Sequence, residues 1–299
     1  MGRHALAWSL WPLGLALQAS VVVAVAWSDP NAVSRAMGLI TVAFLLVLLG
    51  LEDVVPYRRD WSIHGDREVW RDLGHSVLYA GIGGNVAQLT WLSGFPLALS
   101  RLGFPGGLGL WPVETPLVVQ VLLVIVLGDL LEYWYHRLAH TLPWLWRLHA
   151  IHHTPTRLNA LKGPRHHLAY FLGRGVLVWA PLLIIGVPPR LVVWQFAAVV
   201  LVGSLAHANC AFGIPTFAHW ILVTPEFHRI HHSVDAREGN SNYATVLPIW
   251  DLLFSSHTDP RRAEVRETGI DRDPIPRRFL SELLSPLTLD RLTRNRTNR

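Results

Sequence analysis

The chain has 299 residues, 51% of them apolar and only 16% charged, with a net charge of +5. Soluble domains carry about 25% charged residues, so the composition points to a bilayer rather than to water. The single cysteine, Cys210, excludes an intrachain disulfide framework and cysteine-built zinc sites. The basic excess forms no stripe interleaved with aromatics, and nucleic acid is not an expected partner.

Six apolar stretches follow in chain order. Residues 6–27, 36–51, 117–131 and 191–206 have the character of membrane-spanning helices, which need about 20 apolar residues. Residues 77–99 are apolar but interrupted by Gly81, Gly83, Gly84 and Asn85. Residues 169–187 are apolar but carry Arg174, and Pro188–Pro189 ends them. The expected fold is therefore an all-α, polytopic membrane bundle of four to six membrane-embedded helices. If all six cross and the N-terminus is cytoplasmic, only Arg35, Arg101 and Arg190 fall outside, leaving the other 23 basic residues inside. That asymmetry places both termini on the cytoplasmic side. The expected organisation is membrane helices over 1–110, a catalytic unit over 111–260, and a cytoplasmic tail over 261–299 whose Arg-rich end is disordered.

Sixteen histidines are present, and most are clustered. His136 and His140 are four apart, so on a helix they share a face. His149-Ala-Ile-His152-His153 and His228-Arg-Ile-His231-His232 repeat one His-x-x-His-His pattern, which also presents three rings from one side. Eight imidazoles exceed the four ligands of a tetrahedral zinc site and suit two ions with open positions. Imidazole serves iron, zinc, copper and nickel alike, so spacing does not choose the metal. All three clusters fall on the cytoplasmic side of the expected topology. Asp129 and Glu132 share a helical face with His136, which suggests carboxylates that accept the free N–H of metal-bound rings. His4, His64 and His219 are expected to be ordinary surface histidines.

The motifs 129–140, 146–153 and 224–233, with the segment 242–254 after them, resemble the fatty acid hydroxylase and sterol desaturase superfamily of membrane di-iron enzymes. The resemblance implies a helical membrane fold with a cytosolic cap, two non-haem iron ions, O2 as co-substrate, a lipid substrate drawn from the bilayer and a separate electron-donor protein. Arg165-His166-His167 resembles an Arg-x-His-Pro element, which would make His167 a ligand; Leu168 stands where the proline is usual, so His166 competes for the role. His207-Ala-Asn209 resembles a His-x-Asn element, which would add His207 as a ligand with Asn209 behind it. The implied metal set is His136, His140, His149, His152, His153, His167, His207, His228, His231 and His232. The implied activity is hydroxylation or desaturation of a lipid. A zinc-dependent membrane hydrolase and a non-catalytic metal-binding membrane protein are the competing readings. Neither is favoured: there is no His-Glu-x-x-His, and the clusters lie outside the spans.

Overall fold

The computed structural model describes residues 11–17, 19–21, 23–24, 32–262 and 265–289. The expected first span, 6–27, and the Arg-rich end, 290–299, lie wholly or partly outside them. The described residues are helical, with no strands among them and only two isolated bridges, Pro56 to Cys210 and Ser233 to Thr268. We label the main helices α1 (Ala32–Val54), α2 (residues 69–101), α3 (Leu117–Thr141), α4 (Pro143–His153), α5 (Leu168–Ile185), α6 (Pro189–His207) and α7 (Pro225–His231).

Three of these, α3, α5 and α6, are long and apolar enough to cross a membrane. The all-α fold agrees with the sequence reading; the larger span count is not reached among the described residues.

Helix boundaries follow local chemistry. Pro143, Pro189 and Pro225 open α4, α6 and α7 at the position where a missing N–H costs nothing. Thr224 caps α7, its hydroxyl accepting from the Phe227 N–H at 3.3 Å. α5 ends at Gly186, whose φ of +103° lets its N–H and that of Val187 close back onto Leu183 and Leu182. The glycines of 77–99 do not break α2. The helix runs on through two wider π-helical segments, Val77–Gly83 and Gln88–Gly94. Gly83 instead permits close packing, because a β-carbon there would lie 3.0 Å from Leu168 and Phe171 of α5.

The apolar core gathers Val124 and Ala139 of α3, Val178, Trp179 and Leu182 of α5 and Leu191 of α6. Arg174, the charge that made 169–187 doubtful as a span, is buried in α5. Its Nε donates to Glu132 at 2.5 Å, a bond between oppositely charged groups that offsets burial.

The described part of the expected tail, residues 265–289, packs on the helices. Ile275 and Leu289 pack against Ala150 and Ile151 on the back of α4. The short helix α8 (Phe279–Leu283) places Glu282 against Arg71, His75 and Arg165.

Candidate metal centre

Four helix ends meet. α3 delivers His136 and His140, α4 delivers His149, His152 and His153, α6 ends on His207, and α7 delivers His228 and His231, with His232 as the residue that follows it. Nine ring nitrogens fall into two groups. His136, His140, His149, His153 and His231 form one, and His152, His207, His228 and His232 form the other; within each group the candidate ligand atoms lie within 4.8 Å of one another. The groups abut, with the His153 and His232 rings stacked at 4.5 Å.

Each His-x-x-His-His motif is divided between the groups rather than delivered to one. His149 and His153 join the first group while His152 joins the second; His228 and His232 join the second while His231 joins the first. Helical geometry requires this. Successive residues turn by about 100°, so positions i and i+4 nearly eclipse, while i+3 points well away from i+4. The two motifs therefore face each other crosswise, each giving two rings to one group and one to its neighbour.

The hydrogen bonds orient the rings. A carbonyl only accepts, so the Nδ1 of His136 donates to Tyr243 O (2.7 Å), that of His207 to Gly203 O (2.8 Å) and that of His231 to Ser241 O (2.8 Å). Their Nε2 atoms are therefore bare lone pairs. The Nε2 of His149 lies 3.1 Å from the Nε2 of both His136 and His153. The Nε2 of His207 lies 3.3 Å from that of His152 and 3.0 Å from that of His228, which in turn lies 3.1 Å from that of His232. One N–H cannot bridge two such contacts, whereas a cation can. Two imidazoles about 2.1 Å from one ion and at right angles stand about 3.0 Å apart, the spacing seen here. The Nε2 atoms of His140 and His231 are buried without a hydrogen-bond partner. Buried polar atoms are normally paired, so these too call for an ion. Burial, reinforced by neighbouring histidines, holds the six rings of 149–153 and 228–232 well below their usual pKa, in the neutral form a metal needs.

Several expected site residues are placed elsewhere. His167 reaches neither group. It caps α5, its Nδ1 accepting from the Ala169 N–H at 3.1 Å and its Nε2 donating to Leu283 O at 3.0 Å, so both nitrogens are occupied. His166 faces the centre instead, stacked on His152 at 3.9 Å with a buried, unpartnered Nδ1. Residues 164–167 are not helical, so helical spacing does not set where these two rings point.

Asp129 and Glu132 do not touch the rings. Asp129 accepts from Thr245 Oγ1 (2.7 Å), Val246 N (3.0 Å), Leu247 N (2.9 Å) and Trp250 Nε1 (3.0 Å). Asp251 holds the same segment, accepting from Tyr243 N and Ala244 N at 2.8 and 2.7 Å. These two carboxylates fix the backbone whose Tyr243 carbonyl orients His136. Glu132 binds Arg174 and Gln195. Asn209 ties the end of α6 to Arg58 through both its side-chain atoms. His219 is buried rather than exposed, its Nδ1 2.8 Å from the Thr224 hydroxyl that caps α7. His64 is exposed and pairs with Asp53; His4 lies outside the described residues. The roles of Tyr243, Ser241 and Gly203 are carried by backbone carbonyls and leave no mark on side-chain identity.

Fold and site together define a helical protein with three helices long and apolar enough to cross a membrane and two adjoining all-histidine groups that could hold metal ions. Residues 121–256 match the family model "Fatty acid hydroxylase". The ornithine lipid hydroxylase of Rhizobium tropici is 33% identical over 240 residues, covering 79% of this chain and 71% of that protein. The alkylglycerol monooxygenase of Danio rerio is 29% identical over 128 residues, covering 43% of this chain and 28% of its own length. A very-long-chain aldehyde decarbonylase of Oryza sativa is 31% identical over 162 residues, covering 52% of this chain and 59% of that protein. No solved structure matches. The chain belongs to the fatty acid hydroxylase family, a family of oxidoreductases.

Proposed function

We propose that this chain is an O2-dependent lipid hydroxylase that holds two iron ions in its two histidine groups, on the cytoplasmic side of a membrane. The observation that carries the reading is the crosswise pairing of nine imidazoles, three from the ends of the apolar helices α3 and α6 and six from the short helices α4 and α7 and the residue after α7. His136, His140, His149, His153 and His231 would hold one ion and His152, His207, His228 and His232 the other, with His166 next to the second group. Such ions, when bound, supply the activation of O2 needed to break an unactivated C–H bond, which acid–base chemistry cannot do.

The chain's own residues do the rest. The Tyr243, Ser241 and Gly203 carbonyls hold three rings in one tautomer and one orientation. Buried apolar neighbours such as Ala139, Ile151 and Phe227 keep bulk water from the rings. The apolar flanks of α3 and α5 offer a lipid chain a route from the bilayer. The R. tropici relative acts on ornithine lipid, and we take a polar membrane lipid as the substrate class. Hydroxylation is favoured over desaturation because the relative with the widest coverage of this chain, among those described above, is a hydroxylase. The positive-inside asymmetry supports the cytoplasmic placement.

The test is turnover of the iron-loaded protein on membrane lipid extracts under ¹⁸O2. The expected product is a lipid heavier by one labelled oxygen, lost in H152A and H231A. Product formation without O2, or labelled product from H231A, would refute the assignment.

A further inference from the structure

Two pockets of about 420 and 550 Å³ open side by side on the cap and share Thr156 and Arg157 in their walls. Eight basic side chains line them against five acidic ones. The basic rim includes Arg58, Arg67, Arg157, Arg266, Arg272 and Arg277. Arg67, Arg266, Arg272 and Arg277 are exposed.

The floor of the first pocket is where both His-x-x-His-His motifs end. Thr156 comes three residues after His153, and Val234 two residues after His232. The wall residue Thr268 bridges to Ser233, and the next residue, Gly269, donates its N–H to the His232 carbonyl at 3.1 Å. A molecule seated here would stand within a few residues of ligands from both metal groups.

We infer that this arginine-rimmed groove is the docking site of an acidic one-electron carrier protein. The inference rests on the hydroxylase reading above, whose chemistry requires a reductant: R–H + O2 + 2 e⁻ + 2 H⁺ → R–OH + H2O. One oxygen atom enters the alcohol and the other leaves as water. The two electrons come from two molecules of reduced carrier, each left oxidised, and the protons come from solvent. Charge complementarity across such a surface steers encounter and fixes orientation, and its signature is steep dependence on salt. The short path from the floor to residues 153 and 232 makes the docking productive rather than merely adhesive.

The test uses the full-length protein in nanodiscs and a reduced plant-type [2Fe–2S] ferredoxin, an acidic carrier, as the probe. Binding of oxidised ferredoxin is measured by biolayer interferometry on wild type, R266E and R157E/R266E, at low and high salt. Turnover of the iron-loaded proteins is measured with ferredoxin and, separately, with dithionite. The expected result is that the double variant weakens ferredoxin binding and raises the KM for ferredoxin about tenfold or more, while dithionite-driven turnover and iron content stay at wild-type levels. R266E alone, at an exposed position, is expected to show a smaller change of the same kind. Binding that is insensitive to salt and unchanged in both variants would overturn the proposal. So would a double variant that loses affinity for anionic phosphatidylglycerol vesicles yet keeps its ferredoxin affinity, since the groove would then seat a lipid headgroup. Failure of dithionite-driven turnover in wild type would sink the hydroxylase reading instead, and the binding measurements would still judge the groove.

Discussion

Replacing Asp129 with Asn separates the scaffold of the metal centre from its ligands. The carboxylate accepts four bonds from residues 245–250, and that segment is continuous with Tyr243, whose carbonyl orients His136. Asn has nearly the same shape but one acceptor atom. If its oxygen keeps Thr245 and Val246, its NH2 stands against two donors, Leu247 N–H and Trp250 Nε1–H. Each hydrogen bond to a charged group contributes about 1.5–3 kcal/mol, and buried donors left unpaired add to the loss. The attachment of the segment should weaken by about 3–5 kcal/mol, allowing for an alternative partner at one donor. Since 1.4 kcal/mol is tenfold, amide exchange at Val246 and Leu247 should accelerate by at least about a hundredfold. Hydrogen–deuterium exchange with mass spectrometry on the nanodisc-embedded protein reads this directly. Metal content should fall with it, although residue 129 touches no ring. Exchange within about twofold of wild type, with metal content retained, would refute the claim that Asp129 holds the site together.

The remaining predictions are simpler. H152A should lower metal content, whereas H167A should leave it intact and cost about 1 kcal/mol of stability through loss of the α5 cap, read by metal analysis and thermal unfolding of the two variants. The six rings of 149–153 and 228–232 have lowered pKa values in the fold, so their contribution to stability is complete above the unfolded value of about 6.5 and is lost as pH falls below it. Thermal unfolding of the metal-free protein from about pH 8 down to about pH 5 should show a steep loss below about 6.5, and a flat profile would contradict the burial of neutral rings. G186A should destabilise by about 1 kcal/mol or more, because φ of +103° strains any β-carbon and one added there would lie 2.8 Å from the Gly106 carbonyl; an unchanged melting temperature would contradict that account of the turn.

Much of the site was legible in the sequence because a helix converts spacing into direction. His136 with His140, and each His-x-x-His-His, announce a shared face. The division of each motif between two groups follows from the same geometry, but it needs the partner helix in place to be seen. His207 was legible only through resemblance, as a lone histidine at the end of an apolar stretch. Where the chain leaves the helix, spacing no longer measures direction and does not distinguish His166 from His167. The partners of Asp129 were hidden for a different reason. They are backbone groups more than a hundred residues away, and side-chain identity does not encode them. In the fold, Gly81, Gly83 and Gly84 interrupt an apolar stretch by propensity alone, but propensity does not register the neighbour α5, whose close approach at Gly83 a larger residue would obstruct. The seating of residues 265–289 was not legible in the sequence, because a few apolar residues such as Ile275 suffice to hold a polar segment on α4.

The account is tested most directly by counting metal and identifying its ligands. Iron-loaded protein, purified in nanodiscs and analysed by elemental quantification with X-ray absorption at the iron edge, should hold two ions per chain in a histidine-nitrogen environment. One ion per chain, or a pair that persists when both His152 and His231 are replaced by alanine, would contradict it.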